Sequence, residues 1–452
     1  MSSAVAVDDL ETGLVRLLGV PGGRVDGLQR LSGGASRETF AFDLVTGSER
    51  RPLILQRLRS AGGSGAAAPM EVEAGLLAAA AQGGVPVPEV VATDTGHLLG
   101  APGIVVRRLE GETIPRRLLR DERFATARSR LGGQVAEAMA AIHALPIDAA
   151  PGLQPTDQLA QYRQVLDDLG EPHPAFELGF RWLEANRPAR GPAVVVHGDL
   201  RLGNLLVDQD GLRAVLDWEL AHLGDPLEDL GWFCVRAWRF GSPLPAGGVA
   251  TREELAAAYA AASGRAVHPD ALRWWEVLGT LKWGVICIMQ AWSHLSGMSR
   301  SVELATIGRR VCENEWDLLG LLPGEPLPRQ APGPTSPGPA LHDRPSAPEL
   351  VTAVREWIEA EVRDRTDGRH AFHARVAANA LAMVERELSL EPALTQAHVE
   401  RLRTLGCEDD RALAERIRSG HLDDRVLEVR AVVAASVHDK LLVANPGWLG
   451  EP

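Results

Sequence analysis

Between Pro323 and Pro348 the chain places nine prolines in 26 residues, with Gly324, Gly333 and Gly338 among them. Proline removes backbone donors and glycine loosens the chain, so such a stretch supplies no core and favours extended, semi-rigid backbone. The chain is read as an N-terminal part over residues 1–322, a linker over 323–345 and a C-terminal segment over 346–452 of ordinary single-domain size.

The N-terminal part opens with an acidic helix candidate and then short β-type runs at Leu28–Leu31, Phe40–Val45 and Leu53–Leu58, with Gly33 and Gly34 between the first two. A helical run follows over Pro69–Gln82, then the extended Val85–Val91 and a strand at Ile104–Arg108. From Phe124 the pattern is helical, interrupted by the apolar runs Val194–Val196, Leu205–Val207 and Ala214–Leu216. The expected layout is a small antiparallel β-rich lobe over 1–110 and a larger α-rich lobe over 111–322, an α+β class. Asp225-Pro226-Leu227-Glu228 and Thr251 with Glu254 read as helix starts. Past the linker, Ser346 with Glu349 starts a helix whose apolar face is Leu350, Val354, Trp357 and Ile358, and Val426, Val429, Val433 and Val437 mark another. The C-terminal segment is expected to be an all-α bundle.

Composition excludes several functions. The net charge is −13, and no run of basic residues stands out, which argues against a nucleic-acid partner. Lys282 and Lys440 are the only lysines, so the Gly-Lys-Ser/Thr of a P-loop is absent. Cys234, Cys287, Cys312 and Cys407 are isolated and read as reduced core thiols. Asp8, Asp9 and Glu11 occupy the place of a secretory signal core, and Val277–Trp292, interrupted by Lys282 and Gln290, reads as a buried helix rather than a membrane span. A cytoplasmic protein is expected.

The chemistry concentrates in Val194-Val-Val-His197-Gly-Asp199-Leu-Arg-Leu-Gly-Asn204, followed by Ala214-Val-Leu-Asp217-Trp-Glu219. An Asp and an Asn five residues apart, then a second Asp after an apolar strand, suit kinase-type phosphoryl transfer. Asp199 would accept the acceptor hydroxyl's proton, while the Asn204 amide oxygen and the Asp217 carboxylate would hold Mg²⁺, a hard cation that prefers oxygen ligands. His370 and His373 lie three apart on a helix without a third ligand at suitable spacing and read as exposed histidines.

Through His197-Gly-Asp199, Asn204 and Asp217 the sequence resembles the aminoglycoside phosphotransferase and choline kinase-like superfamily. Gly33-Gly-Ala-Ser-Arg-Glu-Thr39, Val85-Pro-Val-Pro88, Leu216-Asp-Trp-Glu219 and Gly224–Trp232 resemble, more narrowly, the kinase module associated with acyl-CoA dehydrogenases. The resemblance covers about residues 10–320; the C-terminal domain resembles an uncharacterised helical domain found beside such kinases. It implies a bilobal protein-kinase-like fold with ATP between the lobes. It also implies that Gly33, Gly34 and Ser36 lie at the phosphates, that Glu73 pairs with a basic residue of the third strand, and that Glu110 sits at the hinge beside the adenine. The superfamily's third-strand lysine is missing from Leu53-Ile-Leu-Gln56-Arg57-Leu-Arg59. Arg57 is the first choice to replace it and to pair with Glu73, although strand alternation sends Gln56 and Arg57 to opposite faces and the sequence does not fix which.

The resulting expectation is an ATP- and Mg²⁺-dependent phosphotransferase acting on a small-molecule hydroxyl, with a hydroxyacyl-CoA or related acyl intermediate as acceptor. The alternatives are an aminoglycoside-type kinase and a non-catalytic nucleotide-binding scaffold for an acyl-CoA dehydrogenase partner. The sequence assigns no oligomeric state.

Overall fold

The structure is a computed structural model and describes residues 7–31, 37–58, 69–149, 151–189, 191–327 and 345–450. Gly33, Gly34 and Ser36 of the expected phosphate loop, and most of the proline-rich stretch, lie outside the described residues. In chain order the first elements are α1 (Val7–Leu17), β1 (Arg24–Arg30), β2 (Arg37–Thr46), β3 (Glu49–Leu58), α2 (Met70–Gln82), β4 (Val90–Thr95) and β5 (Pro102–Arg107). There follow α3 (Pro115–Arg120), α4 (Ala125–His143), α5 (Gln158–Leu169), α6 (Pro174–Ala185), β6 (Val194–Val196), β7 (Leu205–Val207), β8 (Leu212–Val215) and β9 (His222–Gly224). The remaining helices are α7 (Leu227–Cys234), α8 (Arg252–Ser263), α9 (Pro269–Leu295), α10 (Val302–Gly308), α11 (Val311–Leu321), α12 (Ala347–Trp357), α13 (Gly368–Thr404), α14 (Asp410–Arg418) and α15 (Val426–Ala444). The expected α+β class is what the chain has. Its contacts divide it into two compact units, one of residues Met1–Thr156 and Ala189–Glu276, the other of Asp157–Pro188 and Val277–Pro452.

In the first unit, β1–β5 form an antiparallel sheet in the order β1-β2-β3-β5-β4. Successive strand residues point to opposite faces, and directly paired residues share one. On one face Phe42, Leu44, Leu53, Leu55 and Val105 pack with Leu10 and Leu14 of α1. On the other, Ile54, Leu58, Ile104 and Val106 pack with Met70 and Ala74 of α2. This two-sidedness decides which strand residues can face α2.

After the sheet, α4 and α8 pack on one another, and the antiparallel pair β6–β9 and the hairpin β7–β8 contribute to a core that includes Leu131, Val135, Met139, Val195, Leu205, Val215, Trp218 and Phe233. Thr251 and Glu254 form the expected capping box of α8. At α7 the expectation holds only in part. Asp225 accepts from the Leu227 amide at 2.9 Å, but the Glu228 carboxylate turns to His222 Nε2 at 3.0 Å instead of back to the helix start.

The second unit holds α5, α6, the later turns of α9, and α10–α15. Within it α14 packs on α6, and α15 packs on α11 and α13. Glu315 of α11 is buried between His173 (3.0 Å) and Lys440 of α15 (3.5 Å); burial opposes its charge, yet these two cations hold its carboxyl down at about 2. Val429, Val433 and Val437 are buried as expected, whereas Leu350, Val354 and Trp357 of α12 are about half exposed, so the face expected to be buried there is open. Over most of Val277–Ile288 α9 is buried, as expected, and its last turns are open, with Trp292 48% exposed. All four cysteines are buried and unpaired, and no described helix is long and apolar enough to cross a membrane.

Candidate active site

The site grows from the sharp turn that follows β6. Gly198 adopts φ +79°, and a Cβ there would meet the Leu220 carbonyl oxygen at 2.4 Å, so this position requires glycine. The turn is fastened from beneath by Asp229 of α7, whose carboxylate accepts from the His197 amide (2.8 Å), the Gly198 amide (2.9 Å) and His143 Nε2 (3.1 Å). Tyr259 supports His143 in turn, 2.9 Å from its Nδ1. Burial alone would raise the Asp229 carboxyl; His143 and then His197 hold it down at about 2, so it stays ionised. Burial lowers the His197 pKa against the opposing charges of Asp229 and Asp199. The neutral ring accepts the Asp199 amide at Nδ1 (3.2 Å) and donates from Nε2 to the Leu216 carbonyl (3.0 Å), tying the turn to the segment that carries Asp217.

Asp199 is thereby presented at the end of the turn and oriented from three sides. Trp232 Nε1 donates to Oδ1 (2.8 Å), Asn204 Nδ2 to Oδ2 (2.7 Å), and Arg201 Nε reaches both oxygens at 3.1 and 3.2 Å. Arg201 also lies over the Trp238 ring, which is tilted against Trp232. A carboxylate so fixed suits a base, because its rotamer is set before substrate arrives.

Asn204 and Asp217 are neighbours through the backbone, since Leu205 pairs with Val215 and the Leu216 amide donates to the Asn204 carbonyl at 2.8 Å. The Asn204 amide nitrogen also donates to the Asp199 carbonyl (2.9 Å), so its Nδ2 is committed and its Oδ1 is left as an acceptor. Asp217 sits at φ 64°, one of two described non-glycine residues in the left-handed region, a strain tolerated by Asp and concentrated at functional sites. Its carboxyl is pushed up to about 7, by burial first and then by the negative charges of Glu219 and Asp199. Two hard oxygen donors in a locally electronegative pocket fit Mg²⁺. Among the described residues no three His, Cys, Asp or Glu side chains form a metal cluster, and a cation completed by substrate phosphates needs none.

The small-lobe expectations fare differently. Glu73 of α2 is buried and does pair with an arginine, but that arginine is Arg37 at the start of β2, with contacts of 2.8 and 2.6 Å. Arg57 is placed elsewhere. It stands directly opposite Glu38, bonds to it at 2.8 Å, donates to the Leu99 carbonyl at 2.9 Å and lies over the Phe40 ring. Phe40 pairs with Leu55, so Arg57 belongs to the α1 face, and the expected Arg57–Glu73 pair is corrected by strand parity. Gln56, paired with Ile104, takes the α2 face. Glu110 is exposed just beyond β5, where the next residues add to the large lobe: Glu112 and Val207 exchange backbone hydrogen bonds at 2.8 and 3.1 Å.

Four residues with evident work in this geometry carry no role assigned from the sequence: Arg37, Glu112, Arg201 and Trp232. Arg37, Arg201 and Trp232 lie inside motifs singled out above. The signal that finds Arg37 is pairing register, since Arg37 sits opposite Leu58 on the α2 face.

The family model described as Phosphotransferase enzyme family matches residues 27–275, and a second, described as Domain of unknown function (DUF6285), matches residues 364–448. The chain is 28% identical over 257 residues to mouse acyl-CoA dehydrogenase family member 10, covering 54% of this chain and 23% of that protein. It thus spans about a quarter of that relative. It is also 27% identical over 198 residues to aminoglycoside 3'-phosphotransferase of Streptomyces fradiae, covering 41% of this chain and 70% of that one. Among solved structures, a Ralstonia eutropha protein provisionally named an aminoglycoside phosphotransferase superposes with a TM-score of 0.54 at 21% identity, over 69% of this chain and 97% of its own, which shows a shared fold.

Proposed function

The chain belongs to the phosphotransferase enzyme family, a small-molecule kinase by that membership, and from this premise we propose that it transfers the γ-phosphoryl group of ATP to a hydroxyl, with Asp199 as base. The observation that carries the reading is the three-sided fixation of Asp199 beside Asn204 and Asp217. Asn204 Oδ1 and the Asp217 carboxylate would hold Mg²⁺. When bound, that ion supplies neutralisation of phosphate charge. Asp199 accepts the hydroxyl proton as the acceptor oxygen bonds to the γ-phosphorus and the bond from that phosphorus to the β,γ-bridging oxygen breaks, releasing ADP, and Trp232, Asn204 and Arg201 keep the Asp199 carboxylate on line. The turn at Gly198 and the anchor at Asp229 hold that geometry. Catalysis on this reading is positioning and charge stabilisation. Gly33, Gly34, Ser36 and Glu110 remain candidates for the nucleotide's phosphates and adenine, and 1–110 and 111–322 for the two lobes.

For the acceptor we favour a hydroxyacyl-CoA or related acyl intermediate, with an acyl-CoA dehydrogenase as metabolic partner. The likeness to a protein named for acyl-CoA dehydrogenases supports this, as does the guanidinium of Arg201 directly on the base, which suits an anionic acceptor better than a polycationic aminoglycoside. The test is mass-spectrometric detection of phosphorylated product from Mg-ATP with a panel of hydroxyacyl-CoAs, hydroxy acids and aminoglycosides, using Asp199→Ala as control. Product that disappears in the control supports the kinase and names the acceptor class. An aminoglycoside product replaces the acyl assignment, and Mg-ATP binding without any product favours a scaffold.

A further inference from the structure

The lysine-free small lobe leaves open which group meets the nucleotide's α- and β-phosphates, and the sheet's parity narrows the choice. A phosphate-binding cation must project from the α2 face, toward Glu73 and the Asp217–Glu219 segment. Arg57 projects from the other face and is engaged by Glu38 and the Leu99 carbonyl, and Gln56 has the right face but no charge. Arg37 has both. Its side chain is almost wholly buried, with Nη1 and Nη2 on Glu73 at 2.8 and 2.6 Å and Nε 3.1 Å from Glu219.

The quality of these contacts is uneven. Nη1 donates a well-formed hydrogen bond, whereas buried Nη2 and Nε, though within ion-pair range of carboxylates, have no hydrogen-bond acceptor in proper geometry. The guanidinium is thus held by one hydrogen bond and two ion pairs, and a phosphate oxygen can take the place of the weaker carboxylate contact. The two carboxylates also differ: the Glu73 side chain is 1% exposed, the Glu219 side chain 22%. Glu73 is therefore the fixed partner and Glu219 the one that an incoming anion can displace.

We propose that Arg37, entering from β2, is the small-lobe cation that grips the nucleotide's phosphates in this chain, with Glu73 fixing its fork and Glu219 yielding to the phosphate oxygens. The inference rests on the kinase reading and goes beyond it, since it moves the phosphate clamp from the third strand to the second. A guanidinium suits the task, because its planar fork can hold Glu73 and present further N–H groups to phosphate.

The test is the dissociation constant of a non-hydrolysable Mg-ATP analogue, measured by calorimetry on the full chain. Loss of charge-assisted hydrogen bonds predicts that Arg37→Ala weakens binding about 10- to 100-fold, that Arg37→Lys recovers part of this, and that Arg57→Ala stays within about twofold of wild type. Because Arg37→Ala leaves Glu73 buried and unpaired, Arg37→Ala with Glu73→Gln provides a folded background, verified by thermal unfolding, in which the same weakening is expected. Wild-type affinity in that double variant, or weakening in Arg57→Ala instead, overturns the assignment while leaving the kinase reading intact. A wild-type chain that binds no nucleotide overturns both.

Discussion

Replacing Asp229 by Asn changes one atom and tests the foundation of the catalytic turn. The carboxylate is fully buried and accepts from two consecutive backbone amides and from His143. Its carboxyl, at about 2 against 3.8 in the unfolded chain, contributes about 2 kcal/mol to folding at neutral pH. Because the folded value is the lower one, this contribution is complete above pH 4 and disappears as the pH falls from about 4 to 2. In Asp229→Asn the amide oxygen can still serve some of the donors, but its NH₂ meets another donor head-on, so a buried N–H loses its acceptor. The expected loss is about 2–4 kcal/mol in the unfolding transition of the first unit. The phosphoryl-transfer rate should fall on the order of a hundredfold as Asp199 shifts. Urea unfolding at pH 7 followed by tryptophan fluorescence, with a parallel rate assay, measures both, and the stability gap between the two proteins should narrow below pH 4. A variant within about 0.5 kcal/mol of wild type that turns over at the wild-type rate would refute the anchoring argument.

Gly198→Ala forces a Cβ against the Leu220 carbonyl at a φ of +79°, so activity should drop by at least about tenfold with little change in acceptor preference, read as kcat across two acceptors. Lys440→Met leaves buried Glu315 with His173 alone and should cost the second unit about 1–3 kcal/mol, less than a fully buried pair because Lys440 is partly exposed; urea unfolding with a probe on α15 measures it. A chain ended at Leu327 loses the Arg430 bonds to the Leu319 and Glu325 carbonyls, the Asn445 bond to Glu313 and the Trp448 bond to Asp317. Limited proteolysis of that shortened chain should cut within α11, and a protected α11 would show that the C-terminal helices are dispensable for its packing.

The parts of the site that a single local segment defines were legible in the sequence. The spacing Asp199-x4-Asn204, the strand before Asp217 and the acidic start of α7 are short-range patterns, and the structure brings those residues together. What escaped was set by pairing between segments. Leu53-Ile-Leu-Gln56-Arg57-Leu58 is apolar on both faces up to Gln56, so it carries no alternation from which to read which face meets α2; only the pairing of Arg57 with Glu38 and of Gln56 with Ile104 supplies it. The same holds for Glu112, whose partner strand lies almost a hundred residues further on at Val207. Trp232 stood in plain view in a helix rich in apolar residues, where ring packing is the ordinary reading and its N–H bond to Asp199 leaves no trace. The α12 face failed for the opposite reason: periodicity marked Leu350, Val354 and Trp357 as one stripe, but a stripe does not state what covers it.

The absence of lysine from the first unit bears on how this protein would behave in a cell extract. Both lysines of the chain, Lys282 and Lys440, belong to the second unit. Reagents that profile ATP-binding proteins by acylating an amine beside the phosphates find in the first unit only guanidinium groups, which remain protonated and are poor nucleophiles. A survey built on that chemistry would find no amine to acylate on any side chain of the first unit, and capture there would instead require an electrophile matched to arginine or an affinity matrix carrying the nucleotide itself.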